Sequence, residues 1–282
     1  MITGMPRIAI AAKDYSGLVS FFKDKLKMPV IDMSKSSRKD YGAALGMCLP
    51  EGGSNIELMS PVDPDTPLSK SLQSFLDRRG EGLFALMLEA PVPDDEADEL
   101  ASRGLNVMRL MRGAFGRDVH PSSTHGVLIR VYPVNSFKGE FKGDLDDSAP
   151  RLSGIARVII AVEDIVHARE VYGKQFNMPI GGIVDDEDRG VYSVICQPPT
   201  GGAIELVAAK NASRPFAGAI QRHLEEDREG MYALVLTSPN LESTALSLSK
   251  NGVAVGPSKD DPNVLEISPE NAFGALIRIE AA

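Results

Sequence analysis

Two arginines stand inside apolar segments, where a permanent charge needs a partner. Arg130 lies in "GVLIRVYPV", which starts at Gly126, and Arg278 lies in "GALIRIEAA", which starts at Gly274. The guanidinium group does not lose its charge in proteins, and it offers five N–H donors in a flat fork. Each arginine therefore predicts either a buried ion pair with a carboxylate or a site that binds an anionic ligand through paired hydrogen bonds.

The two arginine segments belong to an internal duplication. Segments of the first half recur in the second half at an offset of 150 residues that falls to 148 further along. The matched pairs are 6–14 with 156–164, 27–30 with 177–180, 55–59 with 203–207 and 81–88 with 229–236. A repeated order of this kind predicts two copies of one domain. We place the copies at residues 1–136 and 154–282, with the polar segment 137–153 as the linker.

Each copy contains the pattern of two smaller modules. In the first module "RIAIAA" is typical of a short strand, Asp14 is a suitable N-cap, and the apolar residues after it recur at helical spacing. "YGAALGMCL" and "SNIELMS" are typical of two further strands. A strand, an acidic helix start and a closing strand follow within residues 83–133. The chain therefore predicts four modules with the order strand, helix, then two or three strands.

Four such modules in tandem resemble the vicinal oxygen chelate superfamily, which includes glyoxalases, methylmalonyl-CoA epimerases, extradiol dioxygenases and bleomycin-resistance proteins. The segments that carry the resemblance are "RIAIAAKDYSGLVSFFKDKLKMPV", "GGSNIELMSP" and "HPSSTHGVLIRV". The resemblance covers nearly the whole chain and implies an α+β fold, in which four βαβββ modules pair into two glyoxalase-like cups. We name the cup of residues 1–136 cup one and the cup of residues 154–282 cup two.

The resemblance also implies a metal site, but its ligand positions carry other residues in this chain. A cup of the superfamily holds one divalent metal through His, Glu or Gln, His and Glu. These positions fall, in cup one, on Arg7, Glu57, Ala85 and Arg130 and, in cup two, on Arg157, Glu205, Ala233 and Arg278. A catalytic Zn²⁺ or Fe²⁺ needs at least three protein ligands, and arginine repels a cation. We therefore expect no metal and no other cofactor, and we do not expect extradiol dioxygenase activity.

An Arg–Glu–Arg set can serve as a structural tie or as an anion site, and cup two favours the tie. Glu280 lies two residues after Arg278, on the same strand face, and can neutralise it. We therefore expect structural ion pairs in cup two. Its members are Arg157, Glu205, Arg278 and Glu280.

Cup one favours the anion site, because Tyr132 stands where cup two has Glu280 and one positive charge is left over. We expect a small anionic ligand there. The residues expected to bind it are Arg7, Arg130, Tyr132 and Asn55. Strand alternation places further residues on the cup face, namely Leu128, Ala9, Met59, Leu83 and Met87, and sends Ile8, Ile10, Ile56, Leu58 and Ile129 to the opposite face.

Glu57 and His120 are the candidate catalytic residues. Glu57 is the acid of cup one, and we expect its two arginine neighbours to favour the charged form, which makes a weak base. His120 precedes the closing strand, and it contacts a substrate at the cup mouth, forms a metal pair with His125 or caps its own turn. His125, five residues on, has the same interpretations.

The bulk composition narrows the classes of partner. The 282 residues carry a formal charge of −9, which disfavours nucleic acid and anionic membrane surfaces. No apolar run reaches the length of a membrane span, the N-terminus lacks a basic signal-peptide region, and there are only two cysteines. These features favour a cytoplasmic location, and a homodimer stays open.

Two functions remain. One is a divergent lyase or isomerase that acts on a small organic acid or an acyl-CoA without the usual metal. The alternative is a metal-free small-molecule binding protein of the bleomycin-resistance type.

Overall fold

The computed structural model describes residues 1–52, 54–110, 116–137, 139 and 149–282. The elements of the first copy are β1 (Gly4–Ala11), α1 (Tyr15–Ser20, continued by a π-helical turn, Phe21–Lys25), β2 (Val30–Asp32), α2 (Ser34–Tyr41), β3 (Ala43–Cys48), β4 (Asn55–Pro61), α3 (Pro67–Arg79), β5 (Gly82–Ala90), α4 (Pro93–Ser102), β6 (Arg117–Val119), a 3₁₀ turn (Pro121–Ser123) and β7 (Leu128–Pro133).

Within the described ranges, the second copy repeats this order with three differences: a strand replaces α2, a single bridge between Ile180 and Cys196 stands in place of β2, and an additional short strand precedes the one equivalent to β6. Its elements are β8 (Arg157–Ala161), α5 (Ile165–Glu170, continued by a π-helical turn, Val171–Gln175), β9 (Val184–Asp186), β10 (Val191–Cys196), β11 (Ala203–Ala209), α6 (Pro215–Asp227), β12 (Gly230–Ser238), α7 (Leu241–Lys250), β13 (Gly256–Pro257), β14 (Leu265–Ile267), a 3₁₀ turn (Pro269–Asn271) and β15 (Ile277–Ala281).

Each copy forms one sheet in which two modules meet at their first strands. The strand orders are β2-β3-β4-β1-β5-β7-β6 and β13-β14-β15-β12-β8-β11-β10-β9. β1 is antiparallel to β5, and β8 is antiparallel to β12. Within the modules of the first copy, the first strand runs parallel to the last, β1 beside β4 and β5 beside β7. The predicted fold class of four paired βαβββ modules is therefore confirmed.

The two faces of each sheet have different neighbours. Side chains such as Ile8 and Ile160 point into one buried cluster that spans both copies and includes the apolar sides of α1, α4, α5 and α7. Ala9, Met59 and Met87 belong to a separate cluster on the concave face of the first sheet. The alternation predicted for these strands is confirmed, and it leaves the concave faces for the two cups.

The prediction that Leu83 faces cup one is wrong, because β5 contains a bulge. Ala9 pairs with Ala85, but the next residue, Ile10, pairs with Leu83, so Phe84 is an extra residue in the ladder. The bulge turns Leu83 into the shared core and places Phe84 on the concave face. The same register shift occurs in β12 of the second copy.

A helix that the sequence prediction lacks covers each cup. α3 begins with Pro67 in its first turn and is followed by Gly80, whose φ of 77° favours glycine. Leu68, Leu72 and Leu76 recur at four-residue spacing and pack on the concave cluster of the first sheet. α6 packs on the second sheet in the same way. Each cup is therefore partly filled by a helix, which leaves its charged residues as the remaining lining.

The segment predicted as the linker is described only in part. Residues 138 and 140–148 lie outside the described residues. Leu152 is buried in the shared core, and the Ser153 amide donates to the Thr237 carbonyl at 2.9 Å. The end of this segment therefore packs against the folded copies, and the domain boundaries stay predictions.

The longest helices of the described residues are shorter than a membrane-spanning helix. α3 and α6 have 13 residues each, whereas a membrane-spanning helix needs about 20 apolar residues. Throughout the part of the chain that the structure describes, no helix is long and apolar enough to cross a membrane. The cytoplasmic location stays a prediction.

Candidate functional site

Arg7 and Glu57 form the centre of cup one. They lie on the parallel neighbours β1 and β4, whose register pairs Arg7 with Asn55 and Ala9 with Glu57. Only 6% of Arg7 and 4% of Glu57 is exposed. Arg7 Nη1 lies 3.7 Å from Glu57 Oε2, which is an ion pair without a hydrogen bond. Arg7 also donates through Nη2 to Ser136 Oγ. The predicted ligand residue Asn55 therefore lies beside this pair.

Arg130 pairs with a carboxylate that the sequence prediction missed. β6 and β7 are antiparallel and place Asp118 opposite Arg130. The guanidinium donates to both oxygens of Asp118, through Nε and through Nη2, the latter at 2.5 Å. The expected surplus positive charge in cup one is therefore wrong, because Asp118 balances it. The signal in the sequence is a single acidic residue two positions before His120, in a strand of three residues that is too short to show alternation.

Tyr132 joins the two halves of the cup-one network. Its ring lies under the Arg7 guanidinium, with 4.5 Å between the guanidinium carbon and the ring centroid. Arg130 Nη1 lies 3.5 Å from the Tyr132 hydroxyl, at the outer limit of a hydrogen bond. Burial is the main cause that raises the pKa of Tyr132, and Glu57 adds to it. The phenol therefore stays protonated and can serve as a donor.

Glu57 differs from the weak base that the sequence suggests. Burial raises its pKa above the ordinary value of 4.5, and the charges of Arg7 and Arg130 offset only part of that effect. Its Oε2 is buried and has no hydrogen-bond partner in the described part of the chain. The expected weak base is not found, because two guanidinium groups at a distance offset the cost of burying the charged carboxylate less than direct hydrogen bonds would. Glu57 is thus a carboxyl group with a raised proton affinity and an unused oxygen.

Glu205, the equivalent of Glu57 in cup two, has both oxygens in use. Arg157 Nε donates to Glu205 Oε2 at 2.8 Å, and Arg189 Nη2 donates to Oε1 at 2.5 Å. Arg157 also holds both oxygens of Glu280, at 2.8 and 2.6 Å. Arg189 lies in the turn after β9, where the first copy has α2, so the duplication gives no signal for it.

Arg278 has different partners from the one we expected. It donates to both oxygens of Asp260, at 3.0 and 2.9 Å, and to Glu266 at 2.8 Å, whereas Glu280 pairs with Arg157. β14 places Glu266 directly opposite Arg278. Residues opposite each other on antiparallel strands are about 5 Å apart, which is closer than the roughly 6.6 Å between alternate residues on one strand.

A cavity of about 450 Å³ remains among the charged residues of cup two.

The residues of neither cup fit a divalent metal. In cup one Asp118 is held by hydrogen bonds from Arg130, so Glu57, 3.7 Å from the Arg7 guanidinium, is a single carboxylate where a catalytic metal needs at least three ligands. Among the residues that the structure describes, no group of three His, Cys, Asp or Glu side chains has a geometry that could hold an ion. Arginines at the ligand positions repel a cation, so we assign no metal chemistry to these cups.

The two histidines near the closing strand of the first copy occupy different environments. His120 is exposed, and its Nδ1 accepts from the Ser122 amide at 3.1 Å, which caps the 3₁₀ turn. The hydrogen bonds of its side chain stay within that turn and do not reach Glu57. His125 is buried and lies 2.8 Å through Nδ1 from Glu229 Oε1 of the second copy. The geometry therefore favours capping for His120 and a contact between the copies for His125.

Comparison with known proteins finds solved structures with a similar fold at low sequence identity. No protein-family model and no curated protein matches the chain. The chain is similar to a mutant of 4-hydroxymandelate synthase from Streptomyces coelicolor, with a TM-score of 0.69 and 14% identity, over 100% of this chain and 94% of that one. At this identity the likeness shows the fold alone.

Two smaller structures match about half of the chain each. Methylmalonyl-CoA epimerase from Mycobacterium tuberculosis is 24% identical with a TM-score of 0.39, over 46% of this chain and 89% of that one. A hypothetical protein from Bacillus halodurans is 22% identical with a TM-score of 0.40, over 49% of this chain and 99% of that one.

Proposed function

Because the chain has the tandem fold of the vicinal oxygen chelate superfamily, we propose that it binds a small organic anion in cup one and transfers a proton there through Glu57. The ligand class is a small organic acid or an acyl-CoA. The reaction class is that of an isomerase or lyase that removes a proton beside a carbonyl group. Arginines stand where the superfamily seats a metal, so the proposed chemistry depends on side chains alone.

The difference between Glu57 and Glu205 carries this proposal. Both oxygens of Glu205 accept strong hydrogen bonds from guanidinium groups, which leaves no oxygen for a substrate. Glu57 has a single ion pair at 3.7 Å and a buried oxygen without a hydrogen-bond partner in the described part of the chain. A general base must be within hydrogen-bond reach of the proton that it takes, and it works best with a pKa near the working pH. The raised pKa of Glu57 shifts it in the direction of the second condition, and its buried oxygen is available to meet the first.

The neighbours of Glu57 suit the charge that such a reaction develops. Glu57 would take a proton from carbon, the C–H electron pair would form a C=C bond while the C=O π pair moves onto the oxygen, and an enolate would form. Arg7 carries the nearest positive charge and lies on the ring of Tyr132, whose hydroxyl can donate. Fixed donors that face a developing negative charge are the strongest contribution that side chains make to such a step. Arg130 is held by Asp118 and would stabilise the enolate through the electrostatic field of its charge.

Exchange of substrate protons with solvent tests this function. Small 2-substituted organic acids and acyl-CoA esters are incubated with the protein in D₂O, and deuterium at the carbon beside the carbonyl is followed by NMR. We expect exchange with the wild-type protein and its loss in Glu57→Gln. Glu205→Gln is the matched control and should exchange at close to the wild-type rate. Equal exchange in wild type and Glu57→Gln would remove Glu57 from the reaction.

The alternative, binding without turnover, has one observation in its favour. The charged residues of cup one are all buried and largely paired with one another, which suits a site for one bound ligand better than a site that admits many substrates. These residues are Arg7, Glu57, Asp118 and Arg130. A ligand that raises the melting temperature through cup one, without deuterium exchange in any compound of the panel, would favour a binding protein of the bleomycin-resistance type. A homodimer stays a prediction for either function.

A further inference from the structure

The two copies meet around an approximate twofold relationship that creates two equivalent ends. Arg103 Nη1 donates to the Gln175 carbonyl at 3.0 Å, and the equivalent Asn251 Nδ2 donates to the Lys25 carbonyl at 2.8 Å. At each end a glycine of one copy approaches the backbone of the other copy so closely that no side chain would fit. We call these the histidine end, formed by His125, His167 and Glu229, and the open end, formed by Gly17, Glu81 and Phe273.

At the histidine end, two imidazole rings lie at the contact between the copies. Glu229 Oε1 accepts from the Glu163 amide at 2.9 Å and lies 2.8 Å from His125 Nδ1. The ring of His167 lies edge-on to that of His125, with 5.0 Å between their centroids. The carboxylate of Glu229 is thus fixed by its own copy and meets an imidazole of the other copy.

At the open end the carboxylate is fixed in the same way, but both imidazoles are absent. Glu81 Oε1 accepts from the Lys13 amide at 2.8 Å, as Glu229 does from Glu163. The position of His125 is held by Phe273, and the position of His167 by Gly17. A cavity of about 670 Å³ occupies this end. That volume lies within the range of pockets that hold small ligands.

The lining of this cavity favours a flat cation. The ring of Phe273 is partly exposed in the lining and packs edge-to-face on the buried ring of Phe21, 6.1 Å away, so Phe273 offers the aromatic surface to a ligand. Glu81 and Glu270 contribute two negative charges to the lining and Lys25 contributes one positive charge. Aromatic faces attract cations, and the excess of carboxylate adds to that attraction.

We propose that the open end binds a small planar organic cation, whose N–H donates to Glu81 as His125 pairs with Glu229, and whose ring lies against Phe273. The ligand class is an imidazolium or an amidinium. This site lies between the copies and does not depend on the proposed reaction in cup one. Phe273 has the same φ as His125, 52°, so a histidine fits its backbone and would supply the missing imidazole from within the chain.

Titration with benzamidinium chloride tests the site, with neutral benzamide as the matched ligand of nearly the same shape. Binding is followed by calorimetry and by the NMR shifts of the Gly17 and Phe273 amides. We expect benzamidinium to bind at least about tenfold more tightly than benzamide, because one charge-assisted hydrogen bond is lost in benzamide. Glu81→Gln should weaken benzamidinium binding about tenfold, and Glu229→Gln, at the histidine end, should not.

Phe273→His should abolish binding, because the new imidazole pairs with Glu81 and competes with the ligand for that carboxylate. Equal affinity for benzamidinium and benzamide in the wild-type protein overturns the proposal, as does benzamidinium binding that is unchanged in both Glu81→Gln and Phe273→His. Should a variant fail to fold, the comparison of the two ligands on the wild-type protein decides the question alone.

Discussion

Glu57 and Glu205 occupy equivalent positions 148 residues apart, yet only Glu205 has each carboxylate oxygen hydrogen-bonded to a guanidinium group. Glu57 faces Arg7 at 3.7 Å and keeps a buried oxygen without a hydrogen-bond partner in the described part of the chain. A duplication that began with two identical cups has therefore produced one cup with a saturated glutamate and one with an available glutamate.

Asp118→Asn should destabilise the protein strongly. The change leaves the guanidinium of Arg130 buried without its counter-charge, and removing one partner of a buried ion pair costs about 3–5 kcal/mol. Asp94→Asn is the matched control, because Asp94 pairs with Arg117 at the surface, where such a pair is worth at most about 1 kcal/mol. Urea unfolding measures both. Similar losses in the two variants would show that Asp118 does not hold Arg130.

The raised pKa of Glu57 predicts a specific pH dependence of stability. The native state binds the Glu57 proton more tightly than the unfolded state, so the stabilisation is fully present below about pH 4.5 and is lost as pH rises through the native pKa. The free energy of unfolding of the wild type minus that of Glu57→Gln should therefore fall as pH rises from about 4 to 8. The fall amounts to about 1.4 kcal/mol for each unit by which the pKa is raised. A difference that increases with pH would contradict the assignment.

Tyr132 should stabilise the folded protein through its ring more than through its hydroxyl. The Arg7 guanidinium lies over the ring at 4.5 Å, while the hydroxyl lies 3.5 Å from Arg130, at the limit of a hydrogen bond. Tyr132→Phe should change the free energy of unfolding by less than about 1 kcal/mol, and Tyr132→Ala should lower it by about 3 kcal/mol. Thermal and urea unfolding check this, and equal losses in both variants would assign the main role to the hydroxyl.

The sequence predicted the strands and the ionic character of the cups better than it predicted the ion pairs. The duplication and strand alternation located Arg7, Glu57 and Arg130 on one face, because a two-residue period is visible in long strands. Asp118 and Arg189 were missed because they lie in a three-residue strand and in a turn, where no periodicity exists. Leu83 was misplaced because a bulge leaves no clear mark in the sequence. Pairing across strands depends on register, which a single chain does not reveal.

The purified protein should contain no metal in stoichiometric amount. Arginines at the ligand positions, with Glu57 as a single carboxylate beside Arg7 and with Asp118 held by Arg130, predict no stoichiometric zinc, iron, nickel or manganese after purification without added metal. Elemental analysis measures this, and dialysis against EDTA should leave the melting temperature unchanged. One tightly bound metal per chain, with a lower melting temperature after its removal, would show that the cups use ligands other than those assigned here.

The proton affinity of Glu57 tests the central claim most directly. The carboxyl carbons of ¹³C-labelled protein are titrated by NMR, and the Glu57 signal is assigned by its loss in Glu57→Gln. We predict a midpoint clearly above 4.5 for Glu57, since burial outweighs the two arginines. A midpoint at or below 4.5 would contradict the account, because Glu57 would then be a fixed counter-charge rather than a group that can accept a proton.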